Sequence, residues 1–267
     1  MSGIHPTAVV DPKAELGPEV EIGPYAVVGP DVVLHARVHL GPHSVIYGPT
    51  TIGADSRVWS GAAIGVDPQD LKYRGERTEL LIGERNQIRE HVTISRGTTG
   101  GGGVTRIGDD NLFMAGSHIA HDCDVGSHCI FANCAAVAGH VRIQDRAILS
   151  GFVGVHQFTR IGRCAMVSGG AMVVQDVPPF CIAQGDRARL FGLNIVGMRR
   201  AGFNREAIQA LKQAYRDLYH QGQPLRVSLE QVREVYADVP AVIELLSFIS
   251  TSTRGVCRSS GTESIDE

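Results

Sequence analysis

A six-residue period in the apolar residues limits what the first two-thirds of this chain can fold into. Residues six apart on an α-helix are rotated by about 240° and would scatter around its axis. On a β-strand they lie on one side, because six is an even number. The period therefore predicts short strands that coil into a solenoid. The apolar positions are Ile4, Val10, Leu16, Ile22, Val28, Leu34, Leu40, Ile46, Ile52, Val58 and Ile64, then Ile82, Ile88 and Ile94, then Ile107, Phe113, Ile119, Val125, Phe131, Val137, Ile143, Leu149, Val155, Ile161, Val167 and Val173.

Glycine often follows the apolar position, as at Gly17, Gly23 and Gly53. Glycine adopts backbone conformations that other residues avoid, so these glycines predict the corners between strands. The pattern resembles the hexapeptide-repeat proteins, which form a left-handed parallel β-helix with three hexads in each triangular coil. The resemblance alone supplies the hand, because crossovers between parallel strands are otherwise nearly always right-handed.

Two insertions interrupt the period, at residues 65–81 and 95–106. Loops that leave a rigid solenoid are common places for binding groups. The glycines at 100–103 lack the lysine and hydroxyl residue of a phosphate-binding P-loop, so this segment is predicted to be a flexible loop.

The period ends at Val173, and the DVPP sequence at 176–179 indicates an exit from the solenoid. We therefore predict a β-helix domain over 1–190, a small α-helical domain over 191–255 and a flexible tail over 256–267.

The helical domain has recognisable start signals. Asn204, flanked by Phe203 and Ile208, has the pattern of an N-cap with a hydrophobic staple. Ser228, three residues before a glutamine, predicts a capping box for a second helix, and residues 241–249 suggest a third.

Charge and composition exclude several classes of protein. A net charge of −3 argues against a general nucleic-acid binder, which usually carries a basic excess. No segment approaches the roughly 18 apolar residues of a transmembrane helix, and no signal peptide is evident, so we expect a cytoplasmic protein. The six cysteines form no CxxC pair and are expected to be small buried residues rather than metal ligands.

Four of the eleven histidines should cluster. Residues 18 apart stack on neighbouring rungs about 4.8 Å apart if three hexads make one coil. Positions 119, 137 and 155 have this spacing, and the histidines beside them are His118, His121, His140 and His156. Two chemistries remain open at this point. His121, with Asp122 next to it, suits a general base, whereas three histidines on adjacent rungs would suit a zinc ion.

The longer motifs favour the first chemistry. In order along the chain they are DLKYRGE (70–76), ISRGTTGGG (94–102), HIAHDC (118–123), AGH (138–140), VHQF (155–158), DVPPF (176–180), AQG (183–185), FGLNIVGMRR (191–200) and GFNREAI (202–208). Over nearly the whole chain they resemble the UDP-N-acetylglucosamine O-acyltransferases of lipid A biosynthesis.

The resemblance implies roles for individual residues. His121 would be the general base that deprotonates a sugar 3-hydroxyl, Asp122 would polarise it, and the Gly139 N–H would stabilise the oxyanion. Gly169 would limit the depth of the acyl chain. The implied substrate contacts are Asp70 and Lys72 from the first loop, His118, His140, His156 and Gln157 near the sugar and acyl groups, and Asn194 and Arg200 at the nucleotide end.

Two positions depart from the family pattern. Val196 stands where the family often has Glu, and Ser95 where it often has His. Neither is the implied base.

The resemblance also implies partners. Acyl carrier protein would donate the acyl group and UDP-N-acetylglucosamine would accept it, in a homotrimer with active sites between solenoids and no metal or organic cofactor. The basic stretch 187–216 has a single acid, Glu206, and suits docking of an acidic carrier on Arg199, Arg200 and Arg205.

Alternatives remain at this stage. An N-acyltransferase of the same pathway, a zinc-dependent anhydrase of the same fold, and a non-catalytic binding scaffold each fit part of the pattern. A 3-amino sugar nucleotide could replace the acceptor, and the acyl length is not fixed.

Overall fold

The chain forms a solenoid of short strands followed by four helices, as a computed structural model that describes residues 3–260 shows. The strands are, in chain order, β1 (Gly3–Ile4), β2 (Val9–Val10), β3 (Glu15–Leu16), β4 (Glu21–Ile22), β5 (Val27–Val28), β6 (Val32–Leu34), β7 (His39–Leu40), β8 (Val45–Ile46), β9 (Thr50–Ile52), β10 (Arg57–Val58), β11 (Ala63–Val66), β12 (Glu79–Ile82), β13 (Gln87–Ile88), β14 (Thr93–Ser95), β15 (Val104–Ile107), β16 (Leu112–Phe113), β17 (His118–Ile119), β18 (Asp124–Val125), β19 (Ile130–Phe131), β20 (Ala136–Val137), β21 (Arg142–Ile143), β22 (Ile148–Leu149), β23 (Gly154–Val155), β24 (Arg160–Ile161), β25 (Met166–Val167), β26 (Met172–Val173), β27 (Cys181–Gln184) and β28 (Arg189–Leu193).

Successive strands belong to three sheets in turn. The first sheet has the order β1-β4-β7-β10-β13-β16-β19-β22-β25-β27-β28, the second β2-β5-β8-β11-β14-β17-β20-β23-β26, and the third β3-β6-β9-β12-β15-β18-β21-β24. Val10 pairs with Val28 and Ile119 with Val137, so one complete coil takes eighteen residues. The architecture is the expected left-handed parallel β-helix.

The apolar position of each hexad points into the solenoid. Ile46, Ile64 and Phe113 have no exposed surface, and Phe113 packs on Phe131 of the next rung with ring centroids 4.9 Å apart. Burying one such side chain stabilises the fold by roughly 1.5–3 kcal/mol. Ile4 is 43% exposed because its strand lies at the end of the described sheet.

The corners are made by the third residue after each apolar position. At most corners this residue has a positive φ, near 58° at Tyr25 and Arg37 and 61° at His140, although it is seldom glycine. A left-handed conformation costs a non-glycine residue roughly 1–2 kcal/mol. A hydrogen bond to the previous coil offsets this cost, as from Arg37 N–H to the Pro18 carbonyl at 2.9 Å and from His140 N–H to the His121 carbonyl at 3.0 Å.

The glycines after the apolar positions have a different role from the one the sequence suggested. None of Gly17, Gly23 and Gly53 has a positive φ, so the prediction that they supply the corner conformation is wrong. They allow close approach between coils instead. A Cβ on Gly53 would lie 2.4 Å from the carbonyl carbon of Gly83, one rung away.

Both insertions leave the solenoid at the corner between the second and third sheets, which we call the loop corner. Loop 1 (residues 67–78) joins β11 to β12, and loop 2 (residues 96–103) joins β14 to β15 and contains a short 3-10 turn, Thr99–Gly101. Ile64 still pairs with Ile94, so the inward position keeps its register, and the shift occurs just after it, where Val66 pairs with Ser95. Arg96, which is 8% exposed, ties the loops together by donating to the Gly65 carbonyl, the Asp67 carboxylate and the Tyr73 hydroxyl.

The C-terminal helices pack against the last rungs of the solenoid. They are α1 (Ile195–Arg200), α2 (Arg205–Tyr219), α3 (Leu225–Val235) and α4 (Pro240–Ser250). Their apolar faces pack with Cys164 and Phe180 of the last rungs in a second core. Arg163 and Glu244 join α4 to the solenoid through hydrogen bonds of 2.8 and 2.5 Å. The boundary predicted after residue 190 falls inside β28, which forms an antiparallel pair with β27.

Helix starts agree with the sequence at two of three places. The Asn204 side chain caps α2 by accepting from the Ala207 N–H at 2.8 Å, and α4 covers the predicted third helix. The capping box at Ser228 is wrong. Helix α3 begins one turn earlier, after Pro224, whose fixed φ suits a helix start, and Ser228 is buried inside the helix.

The segment after residue 255 differs from the expected flexible tail. Val256 forms a bridge with Asp176, and Ser259 forms one with Leu190, so residues 256–260 pair with the body of the protein. The rest of the predicted tail, 261–267, lies outside the described residues.

Five of the six cysteines are buried and none forms a disulfide, which agrees with their predicted role as small core residues. Burial raises the pKa of the Cys123 and Cys129 thiols to about 12. Cys134 is exposed and departs from the prediction. Within residues 3–260, each helix is too short or too polar to cross a bilayer.

The glycine spacing leads to a stability prediction. Replacing Gly53 with Ala should destabilise the fold by roughly 1–3 kcal/mol, because the new methyl group would overlap the neighbouring rung. Gly29→Ala is the matched control, since its Cβ would lie 3.4 Å from the Ile46 carbonyl oxygen, an ordinary contact. Thermal and urea unfolding of both variants would measure the difference. Equal stability would contradict close packing as the reason for Gly53.

Candidate active site at the loop corner

The histidine cluster lies at the loop corner, on the rungs of β17, β20 and β23. Each rung places the second and third residues after its apolar position at the corner. The column of second residues is His121, Gly139 and Gln157, and the column of third residues is Asp122, His140 and Phe158. The solenoid register therefore brings together residues that are far apart in the sequence.

His121 and Asp122 form a hydrogen-bonded pair. His121 Nδ1 lies 2.7 Å from Asp122 Oδ2, and the two side chains are 14% and 0% exposed. An ionised carboxylate only accepts hydrogen bonds, so the proton of the imidazole lies on Nδ1. Nε2 is then left with a lone pair and can accept a proton from another molecule.

Gly139 lies directly against the His121 ring. A Cβ on Gly139 would be 2.6 Å from Cε1 and 2.8 Å from Nε2, so any side chain here would displace the imidazole. Within residues 3–260 the Gly139 N–H donates no hydrogen bond. Other coils have proline at the same hexad position, as at Pro18 and Pro24, which confirms that the coil does not need this donor.

His118 and His140 flank the pair. Burial lowers the pKa of His118, and nearby His121 lowers it further. The Thr93 hydroxyl lies 2.7 Å from His118 Nδ1. Partial desolvation lowers the pKa of His140, an effect that Asp122 opposes and His121 reinforces. His140 stacks on Phe158 with centroids 4.4 Å apart. Both imidazoles therefore favour the neutral form near pH 7.

Loop 1 brings charge to the same place. The Lys72 N–H donates to Asp70 Oδ1 at 2.9 Å, and the Asp70 carboxylate is close enough to raise the pKa of His140. The Lys72 side chain is exposed. His156 and Gln157 are also exposed on the rung after His140. Of these four predicted contact residues, Asp70 is therefore close to the histidine cluster, and His156 and Gln157 lie on its next rung.

The residues implied for the nucleotide lie elsewhere on the chain. Arg200 and Val196, together with Asn194, line a cavity of about 870 Å³ on the outer face of the first sheet, with Ile148 and Met166 among its apolar lining. The Asn194 side chain is 4% exposed, accepts from the Gly197 N–H and donates to a main-chain carbonyl. Its amide therefore caps α1, a role that the sequence did not suggest.

The remaining predicted residues are also separate from the loop corner. Gly169 is exposed at the corner between the first and second sheets, and Arg199 and Arg205 are exposed on α1 and α2. Ser95 is 1% exposed, and its hydroxyl has no partner within residues 3–260.

Three features near these sites were missed from the sequence. Thr98 of loop 2 contacts Asp122, and Phe158 supports His140. Phe158 stands eighteen residues after His140, so the rung spacing could have indicated it. The cavity is also lined by Arg146, His128 and Lys212. His128 and Arg146 are eighteen residues apart, so the rung spacing could have indicated that pair, whereas Lys212 lies on α2 and follows no such period.

One group among the described residues could reach a common metal ion, namely His121, Asp122 and His140. The predicted alternative needed three histidines, and only two belong to this group. The carboxylate of Asp122 is moreover occupied by hydrogen bonds from His121 and Thr98. The Asp122 carboxylate therefore fits a hydrogen-bonded pair with His121 better than a role as a zinc ligand.

Comparisons with known proteins identify the family to which this chain is similar. A family model described as domain 2 of UDP-N-acetylglucosamine O-acyltransferase matches residues 176–257, and a bacterial transferase hexapeptide model matches 104–139. An acyl-[acyl-carrier-protein]--UDP-N-acetylglucosamine O-acyltransferase from Xylella fastidiosa is 51% identical over 96% of this chain and 97% of its own. The protein of that name from Stenotrophomonas maltophilia is 49% identical over the same shares.

A solved structure has the same fold. The UDP-N-acetylglucosamine acyltransferase from Campylobacter jejuni is 39% identical, with a TM-score of 0.91 over 96% of this chain and 99% of that one.

The partly buried environment of His118 leads to a prediction about its pKa and about the stability of the fold at low pH. Its pKa in the folded protein should be below the 6.5 of a free histidine, because burial disfavours the charged ring. The unfolded chain then takes up this proton first, so the stability that neutral His118 contributes is lost as the pH falls below 6.5. An NMR titration of His118, compared with the urea-unfolded chain, would measure this. A folded pKa above the unfolded one would contradict it.

Proposed function

This chain belongs to the UDP-N-acetylglucosamine O-acyltransferase family, and we propose that it transfers an (R)-3-hydroxyacyl group from acyl carrier protein to the 3-hydroxyl of UDP-N-acetylglucosamine. The observation that carries the proposal is the 2.7 Å contact between His121 Nδ1 and the buried Asp122 carboxylate. The relatives from Xylella and Stenotrophomonas carry the name of this reaction.

His121 is the general base of the proposed reaction. Its Nε2 takes the proton from the sugar 3-hydroxyl as that oxygen attacks the thioester carbonyl. Asp122 holds the ring in the required tautomer and stabilises the imidazolium that forms. When the tetrahedral intermediate collapses, the carbon–sulfur bond breaks and the imidazolium returns the proton to the carrier thiolate. The thioester is already activated, so no cofactor is part of the proposal.

Gly139 supplies the oxyanion donor. Its N–H has no acceptor within residues 3–260 and lies on the rung next to His121. A preorganised N–H at a tetrahedral oxyanion is worth about 3 kcal/mol in acyl transfer. The missing side chain leaves room for both the imidazole and the reacting carbon.

The surrounding residues position the substrates. The lowered pKa of His118 and of His140 keeps both rings neutral, so that they hydrogen-bond to the sugar or acyl groups without adding charge beside His121. Asp70, Lys72, His156 and Gln157 make further contacts. Gly169 leaves the acyl groove open at its far end.

Two protomers together form each site. Within one chain, His121 lies at the loop corner, whereas the cavity with Asn194 and Arg200 lies on the first sheet, which does not border that corner. The family resemblance assigns all three residues to one substrate. A neighbouring copy therefore supplies the cavity that faces the His121 of the first copy.

The second sheet provides the surface for this association. Its outward residues include no Asp, Glu, Lys or Arg on any of the nine rungs, whereas both other sheets carry charged residues outward. Head-to-tail contacts between the second sheet of one copy and the first sheet of the next close into a ring, which is the homotrimer of the proposal. The outward residues are Val9, Val27, Val45, Ala63, Thr93, His118, Ala136, Gly154 and Met172.

The acyl carrier protein docks on the basic surface of α1 and α2. Arg199, Arg200 and Arg205 are exposed and form no ion pair within residues 3–260. Positive charges on this surface attract an acidic carrier protein and increase its association rate. The acyl group that the carrier protein bears would then enter beside the cavity on the first sheet.

The base assignment has a direct test. Replacing His121 with Ala should lower kcat by at least about a hundredfold, because general base catalysis contributes this much or more. His35→Ala is the matched control and should leave kcat unchanged, because the His35 side chain is exposed and forms no hydrogen bond within residues 3–260. Turnover would be measured with (R)-3-hydroxyacyl carrier protein and either UDP-N-acetylglucosamine or its 3-amino analogue. A normal rate for His121→Ala would refute the base, and loss of wild-type activity with a chelator would favour the zinc alternative.

The shared site is tested by mixing two inactive variants. His121→Ala and Arg200→Glu homotrimers should each be inactive, but co-expression should restore activity. With random mixing, about a quarter of the sites combine an intact His121 from one copy with an intact Arg200 from its neighbour. Assays of co-purified mixtures, with the two variants mixed only after purification as the control, would measure recovery. Absence of recovery in mixed trimers would show that each chain holds a complete site.

A further inference from the structure

The Asp122 carboxylate is held by loop 2 as well as by His121. Its Oδ1 accepts a hydrogen bond from the Thr98 N–H at 2.7 Å, and its Oδ2 accepts one from the Thr98 hydroxyl at 2.6 Å. Oδ2 is also the atom that faces His121 Nδ1, at 2.7 Å. One threonine therefore contacts both oxygens of the carboxylate that orients the proposed base.

The loop fits closely over this carboxylate. A Cβ on Gly101 would lie 2.0 Å from the Asp122 carboxyl carbon, so the loop main chain packs against it. At the other end of the loop, the Thr105 hydroxyl accepts from the Asp122 N–H at 2.8 Å. Asp122 is thereby enclosed, and its side chain has no exposed surface.

We propose that Thr98 is a positioning residue for catalysis, because its hydroxyl fixes the Asp122 oxygen that holds His121. This inference rests on the proposed role of His121 as the base. Loop 2 has a defined part in the site under this proposal. It holds the Asp122 carboxylate in place through Thr98, whereas the sequence alone predicted a flexible loop.

The Thr98 hydroxyl also affects the proton affinity of the pair. A hydrogen bond to an ionised carboxylate stabilises its charge. Without that bond the carboxylate is more basic and attracts the imidazolium more strongly, so the coupled His121–Asp122 pair takes up a proton at higher pH. The acid limb of the rate profile should move upward, because protonation removes the base.

Thr98→Val tests the proposal because valine has a similar shape and keeps the main-chain N–H. We expect kcat to fall about tenfold, the effect of losing one hydrogen bond to a charged group. The acid limb of kcat/KM should move up by about half a pH unit or more, while KM for the acceptor changes little. Thr98→Ser keeps the hydroxyl and should restore both kcat and the profile. Thr99→Val is the control in the same loop, since Thr99 is exposed and its side chain forms no hydrogen bond to any residue from 3 to 260.

The outcomes separate this inference from the proposed function. An inactive His121→Ala with a Thr98→Val whose pH profile and kcat match the wild type overturns only the role of Thr98. A Thr98→Val that is merely less stable, with an unmoved acid limb, gives the threonine a structural role and also overturns the inference. Full activity of His121→Ala overturns both proposals. Serine rescue together with the upward shift supports the positioning role.

Discussion

The main-chain hydrogen bonds between rungs are the interaction on which the rest of this structure depends. They fix a register of eighteen residues, so that each side chain lies above its counterpart in the previous coil. The insertions lengthen the chain between rungs without changing that register. Because strand pairing sets these columns, His121 and Gly139 lie side by side on neighbouring rungs. Strand pairing thus determines which residues meet in the candidate site.

The corner geometry explains why a free donor stands beside the histidine. At most corners the third residue after the apolar position donates its N–H to the previous coil, and the second residue has no corresponding main-chain acceptor. On the corner between the third and first sheets, side chains fill this gap, as where Asp109 accepts from the Glu84 N–H at 2.7 Å. At Gly139 no side chain does so within residues 3–260. The proposed oxyanion contact uses this unmet donor, which lies beside His121.

Much of the fold was predictable, because the six-residue period follows from a requirement of every rung, namely one inward apolar side chain. The period located the strands, the two insertions and the histidine cluster. Other features depend on contacts between distant segments and leave no local pattern. The close approach at Gly53 depends on the opposing rung, and the contact of Thr98 with Asp122 depends on how loop 2 folds back. Ser228 failed as a cap because Pro224 and the packing of α3 start that helix earlier.

The solenoid also limits how the distance between its functional parts can change. The loop corner with His121 lies on the rung of β17, and the helices begin after the last complete coil. An added or removed coil changes their separation by one strand spacing, about 4.8 Å, and only whole coils keep each strand in its own sheet. The spacing between His121, the proposed base, and the C-terminal helices can therefore take only discrete values. A smaller change in the length of substrate that fits this spacing must come from substitutions of side chains on existing rungs.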